Sequence, residues 1–271
     1  QGYLWIAVLY GIIFSACHIF CFAKTKEVVE ITVENVSTTN TTTANMEAPV
    51  TVVVDRVDMM EKNGEKYIRV VDYKTGKKDF DYCDVFNGLS LQMLLYLFAI
   101  TDTNSNGKYK NAIPAGVLYM PAKDSYGELG REVQMVTEEL RKKAYNSVYK
   151  MSGTVLYDTG NDEAAKAMEK ELKGEYIPVK VYSSDIDRYS TPVTQNQLAN
   201  LRKYAYSLMM ETVDDMTCGK IEADPLQVGE SIPCSYCDYK SICGNYPPVS
   251  PRTYSEDTEI HTENILMRGV K

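Results

Sequence analysis

The sequence predicts a fold that mixes strands and helices around one β-hairpin, and three stretches carry that expectation. Val52 to Gly76 reads as two strands joined at Asn63-Gly64, because a two-residue hairpin needs positive φ at both central positions. Asp84 to Thr101 is apolar on nearly every side and long enough for a buried helix. Ile113 to Met120 is a short apolar run of the kind that forms a central strand.

The hairpin carries the chemistry. With Asn63 and Gly64 as the turn, Lys62 faces Glu65, and counting outward places Asp55 opposite Asp72. Side chains alternate along a strand, so Lys74 falls on the same face as Asp72. Two acids set opposite one another repel. A divalent cation between them removes that repulsion. The stretch therefore reads as a metal site with a lysine beside it. On the helix that follows, Gln92 and Tyr96 are four residues apart and share a face. A glutamine in so apolar a helix needs a partner. It either faces the acid pair or a substrate phosphate, or is a core glutamine satisfied by backbone.

Before the hairpin, Tyr3 to Ala23 is nearly all apolar and about long enough to span a bilayer. It reads as a membrane or signal segment, or as a stretch foreign to the fold behind it. Val28 to Val36 alternates, and Ser37 to Ala44 is a threonine-rich linker. Beyond Met120, helices are expected over Glu132 to Tyr149, Asp162 to Lys173 and Thr194 to Met216, and short strands over Thr154 to Tyr157 and Ile177 to Tyr182. Cys234, Cys237 and Cys243 form a C-x2-C-x5-C knuckle, whose spacing allows three thiolates to reach one centre, zinc or iron–sulfur. The tail after Pro247 is polar and expected to be flexible.

Composition narrows the classes. A net charge of −8 argues against a protein that merely coats phosphates, although a nuclease with a metal and local lysines remains compatible. Seven cysteines, three of them clustered, point to ligation and away from a disulfide framework. The chain has no G-x-x-x-x-G-K-[ST] loop, so it lacks that route to ATP.

The motifs taken in order resemble a known family. Val54-Asp55-Arg-Val-Asp58, Val71-Asp72-Tyr-Lys74-Thr-Gly76 and Gln92-Met-Leu-Leu-Tyr96-Leu are similar to the PD-(D/E)XK nucleases of the RecB type. Pro114-Ala-Gly-Val-Leu-Tyr119, the Met151 to Asp158 stretch and the cysteine knuckle narrow the resemblance to the C-terminal nuclease domain of the AddB subunits of helicase–deoxyribonucleases.

That resemblance implies a restriction-endonuclease-like α/β fold, a mixed sheet flanked by helices, over residues 49–246, with 1–48 unmatched and 247–271 as a tail. It implies Mg²⁺ on Asp55 and Asp72. Lys74 would orient or help deprotonate the attacking water and stabilise charge at the phosphate, and Gln92 and Tyr96 would support the site. Cys234, Cys237 and Cys243 would hold a 4Fe-4S cluster, with zinc as the alternative. The expected activity is a DNA exonuclease acting in double-strand break repair by recombination. The expected partners are DNA and an AddA-like helicase–nuclease subunit, with no small-molecule substrate. The location is expected to be cytoplasmic, a membrane-associated alternative resting on the apolar N-terminal stretch.

Departures from the family are Val52, where it has Gly, and a first cluster cysteine upstream of the nuclease core, a place that neither Cys17, beside His18, nor Cys218 fills. The helicase-like region of the full subunit is not in the sequence, so a fragment is expected. Two rivals are a stand-alone iron–sulfur exonuclease like the CRISPR-associated four-cysteine family and a catalytically inactive DNA-end-binding or scaffold module.

Overall fold

The structure, a computed structural model, describes residues 27–32, 49–76, 78–103, 108–122, 135–158, 162–182, 185–187, 190–244, 248, 250–255 and 266–267, with side chains from Val54 onward. The apolar Tyr3 to Ala23 stretch and the threonine-rich linker lie outside them. Among the described residues no helix is long and apolar enough to cross a membrane. Contacts group the chain into two compact units, residues 1–80 with 90–199, and residues 81–89 with 200–271.

The first unit is built on a mixed five-stranded sheet. Strands β1 (Glu27–Thr32) and β2 (Pro49–Val54) form a separate antiparallel pair. After a bend at Asp55, β3 (Arg56–Lys62) and β4 (Glu65–Lys74) form the expected hairpin, with Asn63 at φ 54° and Gly64 at φ 83°. Lys62 pairs with Glu65, the register counted from sequence. β5 (Ile113–Pro121) lies at the centre, parallel to β4, and β6 (Ser152–Leu156) runs antiparallel to β5.

Short strands β7 (Val181–Tyr182) and β8 (Asp185–Ile186) pair apart from the sheet. β9 (Pro192–Val193) completes it, giving the order β3-β4-β5-β6-β9. Val71, Leu118, Val155, Ala165, Leu172, Ile177 and Val179 form one buried cluster against this sheet. β5 and β6 approach so closely that a side chain on Gly116 or Gly153 would collide with the facing backbone. Gly116, at φ 134°, follows a bulge between β4 and β5. The two glycines account for the Pro114 to Tyr119 and Met151 to Asp158 signatures.

Several expected elements differ. The apolar stretch from Asp84 to Thr101 is not one helix: α1 (Tyr82–Phe86) stops at Asn87, and α2 (Gln92–Ile100) starts afresh. Gly88 and Ser90 both take positive φ, which breaks the helical path. α2 packs against β4 and β5. α3 (Glu138–Val148) begins later than expected, because the Thr137 side chain caps it by accepting from the Leu140 N–H.

The expected helix from Asp162 to Lys173 is only α4 (Glu163–Lys166). The buried Glu169 carboxylate instead accepts from the N–H groups of Glu175, Tyr176 and Ile177, which fixes a loop there. The same loop absorbs most of the strand expected from Ile177, leaving only β7.

The second unit holds α1 and all but the first turn of α5 (Gln195–Thr217). The Tyr204 hydroxyl donates to the Phe86 carbonyl at 2.7 Å, and the two rings stack. A 3₁₀ turn (Pro233–Tyr236) carries Cys234 and is capped by Cys237, α6 (Lys240–Cys243) ends on Cys243, and β10 (Leu226–Gln227) pairs in parallel with β11 (Arg252–Thr253). The tail expected to be flexible therefore contributes to the packing. Tyr254 donates to Asp84, Ser255 exchanges hydrogen bonds with Asn87, and Leu266 is buried.

Candidate active site

The hairpin and its neighbours on the sheet bring three of the expected residues together. The β3–β4 ladder ends at Arg56 opposite Val71, so Asp55 and Asp72 lie one step past the last pair. Asp55 accepts from the Tyr73 backbone N–H at 3.2 Å, which ties the bend at Asp55 to β4. The Lys74 ammonium lies 2.6 Å from Asp72 Oδ2. It also sits over the Tyr119 ring, 5.7 Å from its centroid, because β5 places Tyr119 beside Asp72.

Asp72 is incompletely satisfied. Its Oδ2 is buried and receives no well-directed hydrogen bond, although Lys74 compensates its charge. The ammonium is close but off the hydrogen-bonding direction. Burial pushes the Asp72 carboxyl above its ordinary value, Lys74 pulls it back, and the Asp55 carboxylate adds to the upward push. A buried carboxylate oxygen whose one cationic neighbour stands off the hydrogen-bonding direction, with a second carboxylate nearby, suits a hard divalent cation, which takes oxygen ligands. The residues present therefore fit Mg²⁺.

Behind this pair, on the alternate face of the hairpin, lies a polar network that sequence reasoning overlooked. Asp58 accepts from Arg56 Nε and Nη2, both at 2.7 Å, and from Arg69 Nε and Nη2 at 2.9 and 2.8 Å. Arg56 Nη1 also donates to the Tyr73 hydroxyl at 3.2 Å. Burial pushes the Asp58 carboxyl up, but the two guanidinium groups outweigh it and hold it below the usual range. The signal was available, since the register that pairs Asp55 with Asp72 also sets Asp58 opposite Arg69. Tyr119 was visible only as part of a motif.

Gln92 opens α2 and donates from Nε2 to the Tyr96 hydroxyl at 2.7 Å. The partner that the glutamine needed is thus a side chain and not backbone. The helix lies against the strands that carry Asp72, Lys74 and Tyr119.

The three cysteines of the expected knuckle lie around the 3₁₀ turn and α6. Cys234 and Cys237 are half-buried, Cys243 is exposed, and all three are free thiols. Among the described residues no three His, Cys, Asp or Glu side chains come together as a metal-holding group. The spacing permits convergence. The turn between the 3₁₀ segment and α6 nevertheless leaves Cys243 at the exposed end of a four-residue helix.

Comparison with known proteins adds an independent line. The model of the PD-(D/E)XK nuclease superfamily matches residues 21–244. The AddB subunit of the ATP-dependent helicase/deoxyribonuclease of Clostridium acetobutylicum is 33% identical over 192 residues, which cover 70% of this chain and 16% of that protein. The protein of the same name from Clostridium perfringens strain SM101 is 34% identical over 220 residues, 75% of this chain and 18% of its own length. That from Thermoanaerobacter sp. strain X514 is 33% identical over 193 residues, 70% of this chain and 16% of its own. The chain thus spans under a fifth of the curated relatives that it matches.

Proposed function

Because the chain belongs to the PD-(D/E)XK nuclease superfamily, we propose that it is a Mg²⁺-dependent deoxyribonuclease domain that degrades DNA from its ends. The observation that carries this reading is the buried, donor-poor Oδ2 of Asp72 with Lys74 at 2.6 Å. Asp55 and Asp72 would hold the cation through their carboxylate oxygens, where it would supply Lewis acidity toward the scissile phosphate and a bound water. Lys74 would place its positive charge where negative charge develops on the phosphate and would orient or help deprotonate the attacking water. Asp72 and the Tyr119 ring fix that ammonium between them. Gln92 and Tyr96 lock one another at the start of α2 and support the site from the helix.

The relatives are named as helicase/deoxyribonuclease subunits. On that similarity we place the chain in a helicase–nuclease that processes double-strand breaks for recombination, beside an AddA-like partner subunit. Cys234, Cys237 and Cys243 retain the chemistry for a thiophilic centre, 4Fe-4S or zinc. A visible absorption band lost in Cys237→Ser identifies the first, and stoichiometric zinc without colour the second.

The test of the activity is Mg²⁺-dependent degradation of linear DNA by the purified chain, with Asp72→Ala and Lys74→Ala alongside. Degradation by the wild type and none by the variants supports the reading. An inert wild type, or variants that match an active one, overturns it in favour of a DNA-binding module without catalysis.

A further inference from the structure

The helix α3 has an outer face that the hydrolytic reading leaves unused. In a chain of net charge −8, residues 138–150 carry Arg141, Lys142, Lys143 and Lys150 against Glu138 and Glu139, a local balance of 4 − 2 = +2. Little of the helix is buried, and of its residues only Asn146 is. Arg141 and Tyr145 stand one helical turn apart, and Tyr149 follows one turn later, so the three share a stripe that Lys142 flanks. The Arg141 side chain is 72% exposed and Tyr145 is 59% exposed. The Tyr145 and Tyr149 rings lie 5.0 Å apart, tilted by 53°.

A second loop adds to this surface. Asn146 donates to Glu175, and the Met151 N–H donates to the Tyr176 carbonyl, which brings Tyr176 to the C-terminal end of the helix. Tyr176 is 40% exposed.

The exposed Tyr145 ring beside the half-buried Tyr149, in line with cations, suits one kind of ligand. Bases of a single strand stack on aromatic side chains, while its phosphates seek lysine and arginine. A protein partner gains little from so many solvated cations, and a duplex hides the base faces that the rings would take.

The topology also keeps this surface within reach of the acids. Ser152 pairs with Tyr119, and Tyr119 with Asp72, so Ser152 lies two strands from Asp72, about 10 Å at ordinary strand spacing. Tyr149 comes three residues before Ser152, a reach of about 10 Å at most. The stripe therefore starts within about 20 Å of the candidate active site, in the same compact unit.

We propose that the outer face of α3 and its C-cap, formed by Arg141, Lys142, Tyr145 and Tyr149, docks single-stranded DNA on its way to Asp55, Asp72 and Lys74. This rests on the nuclease reading for the fate of the strand but not for its binding, so the two are tested apart. Binding of a labelled oligothymidylate of about 20 nucleotides to the full chain is followed by fluorescence anisotropy in EDTA, where hydrolysis is silent.

The double variant Tyr145→Ala/Tyr149→Ala is expected to weaken binding by about tenfold or more. Tyr145→Phe/Tyr149→Phe keeps the rings and is expected to stay within about twofold of the wild type. Arg141→Ala/Lys142→Ala is expected to reduce the slope of log affinity against log salt by about 1.4, two phosphate contacts on a single strand. The proposal is overturned if the alanine pair binds like the wild type, if the phenylalanine pair loses as much as the alanine pair, or if the wild type does not bind. A wild type that binds through these rings yet hydrolyses nothing in Mg²⁺ sinks the nuclease reading and leaves the surface standing.

Discussion

Asp58 and Asp72 belong to the same hairpin and are similarly buried, with 24% and 17% of their side chains exposed. Asp58 receives hydrogen bonds from two guanidinium groups and titrates below the ordinary carboxylate range. Asp72 has one ammonium, a like charge nearby, an oxygen without a directed donor, and titrates above that range. The first arrangement stabilises a fold. The second leaves coordination capacity unspent, the condition in which an acid can take a cation and substrate.

The largest expected effect separates the two acids by activity. Asp72→Asn removes the charge with little change of shape. Mg²⁺-dependent hydrolysis of linear DNA should fall about a thousandfold or more, and the melting temperature in metal-free buffer should not fall. Asp58→Asn should do the reverse. The fold loses about 1–3 kcal/mol, since two partly buried guanidinium groups lose their carboxylate, while the rate per folded molecule stays close to the wild type. Urea unfolding reads the loss as a lower midpoint at unchanged slope.

The pH dependence sharpens the same contrast. A carboxyl that titrates higher in the folded state than the ordinary 3.8 favours folding when protonated, so Asp72 withdraws stability as pH rises from 3.8 through its raised value. Asp58 contributes stability above 3.8 and loses it as pH falls through its depressed value. Asp72→Asn should therefore be more stable than the wild type at neutral pH, with the gain vanishing below about pH 4. Urea midpoints measured across that range check the sign. A gain that persists in acid would place the effect in packing and not in charge.

The smallest expected effect concerns Tyr119. Removing the ring in Tyr119→Leu should lower the rate by about two- to tenfold, as Lys74 loses the aromatic face it rests on. Tyr119→Phe should keep the rate. A uniform loss in Leu and Phe variants would mean that Tyr119 serves packing or its hydroxyl alone.

The hairpin was legible in sequence because Asn63-Gly64 fixes the turn, and a fixed turn dictates every pair outward to Arg56 and Val71, one step short of Asp55 and Asp72. The central strand was legible from its unbroken apolar run. The split between α1 and α2 was missed although Asn87-Gly88, the dipeptide that also marks the hairpin turn, lies inside the stretch; positive φ at Gly88 and Ser90 turns the chain there. The loss of most of the Asp162 to Lys173 helix depends on Glu169 finding three N–H groups beyond Gly174, a contact between segments that local pattern does not carry. At the site, residue types and register were readable, but the difference between Asp58 and Asp72 was not. It arises from which cations reach each carboxylate in three dimensions.

The most direct measurement is the thermal shift produced by Mg²⁺ in the wild type, Asp58→Asn and Asp72→Asn, each without DNA. A cation held by Asp55 and Asp72 stabilises the folded state by mass action, about 2.7 kcal/mol at a hundredfold excess over its dissociation constant. The account predicts a saturating rise in melting temperature for the wild type and for Asp58→Asn, and none for Asp72→Asn. An equal rise in all three would contradict it, because the cation would then sit elsewhere.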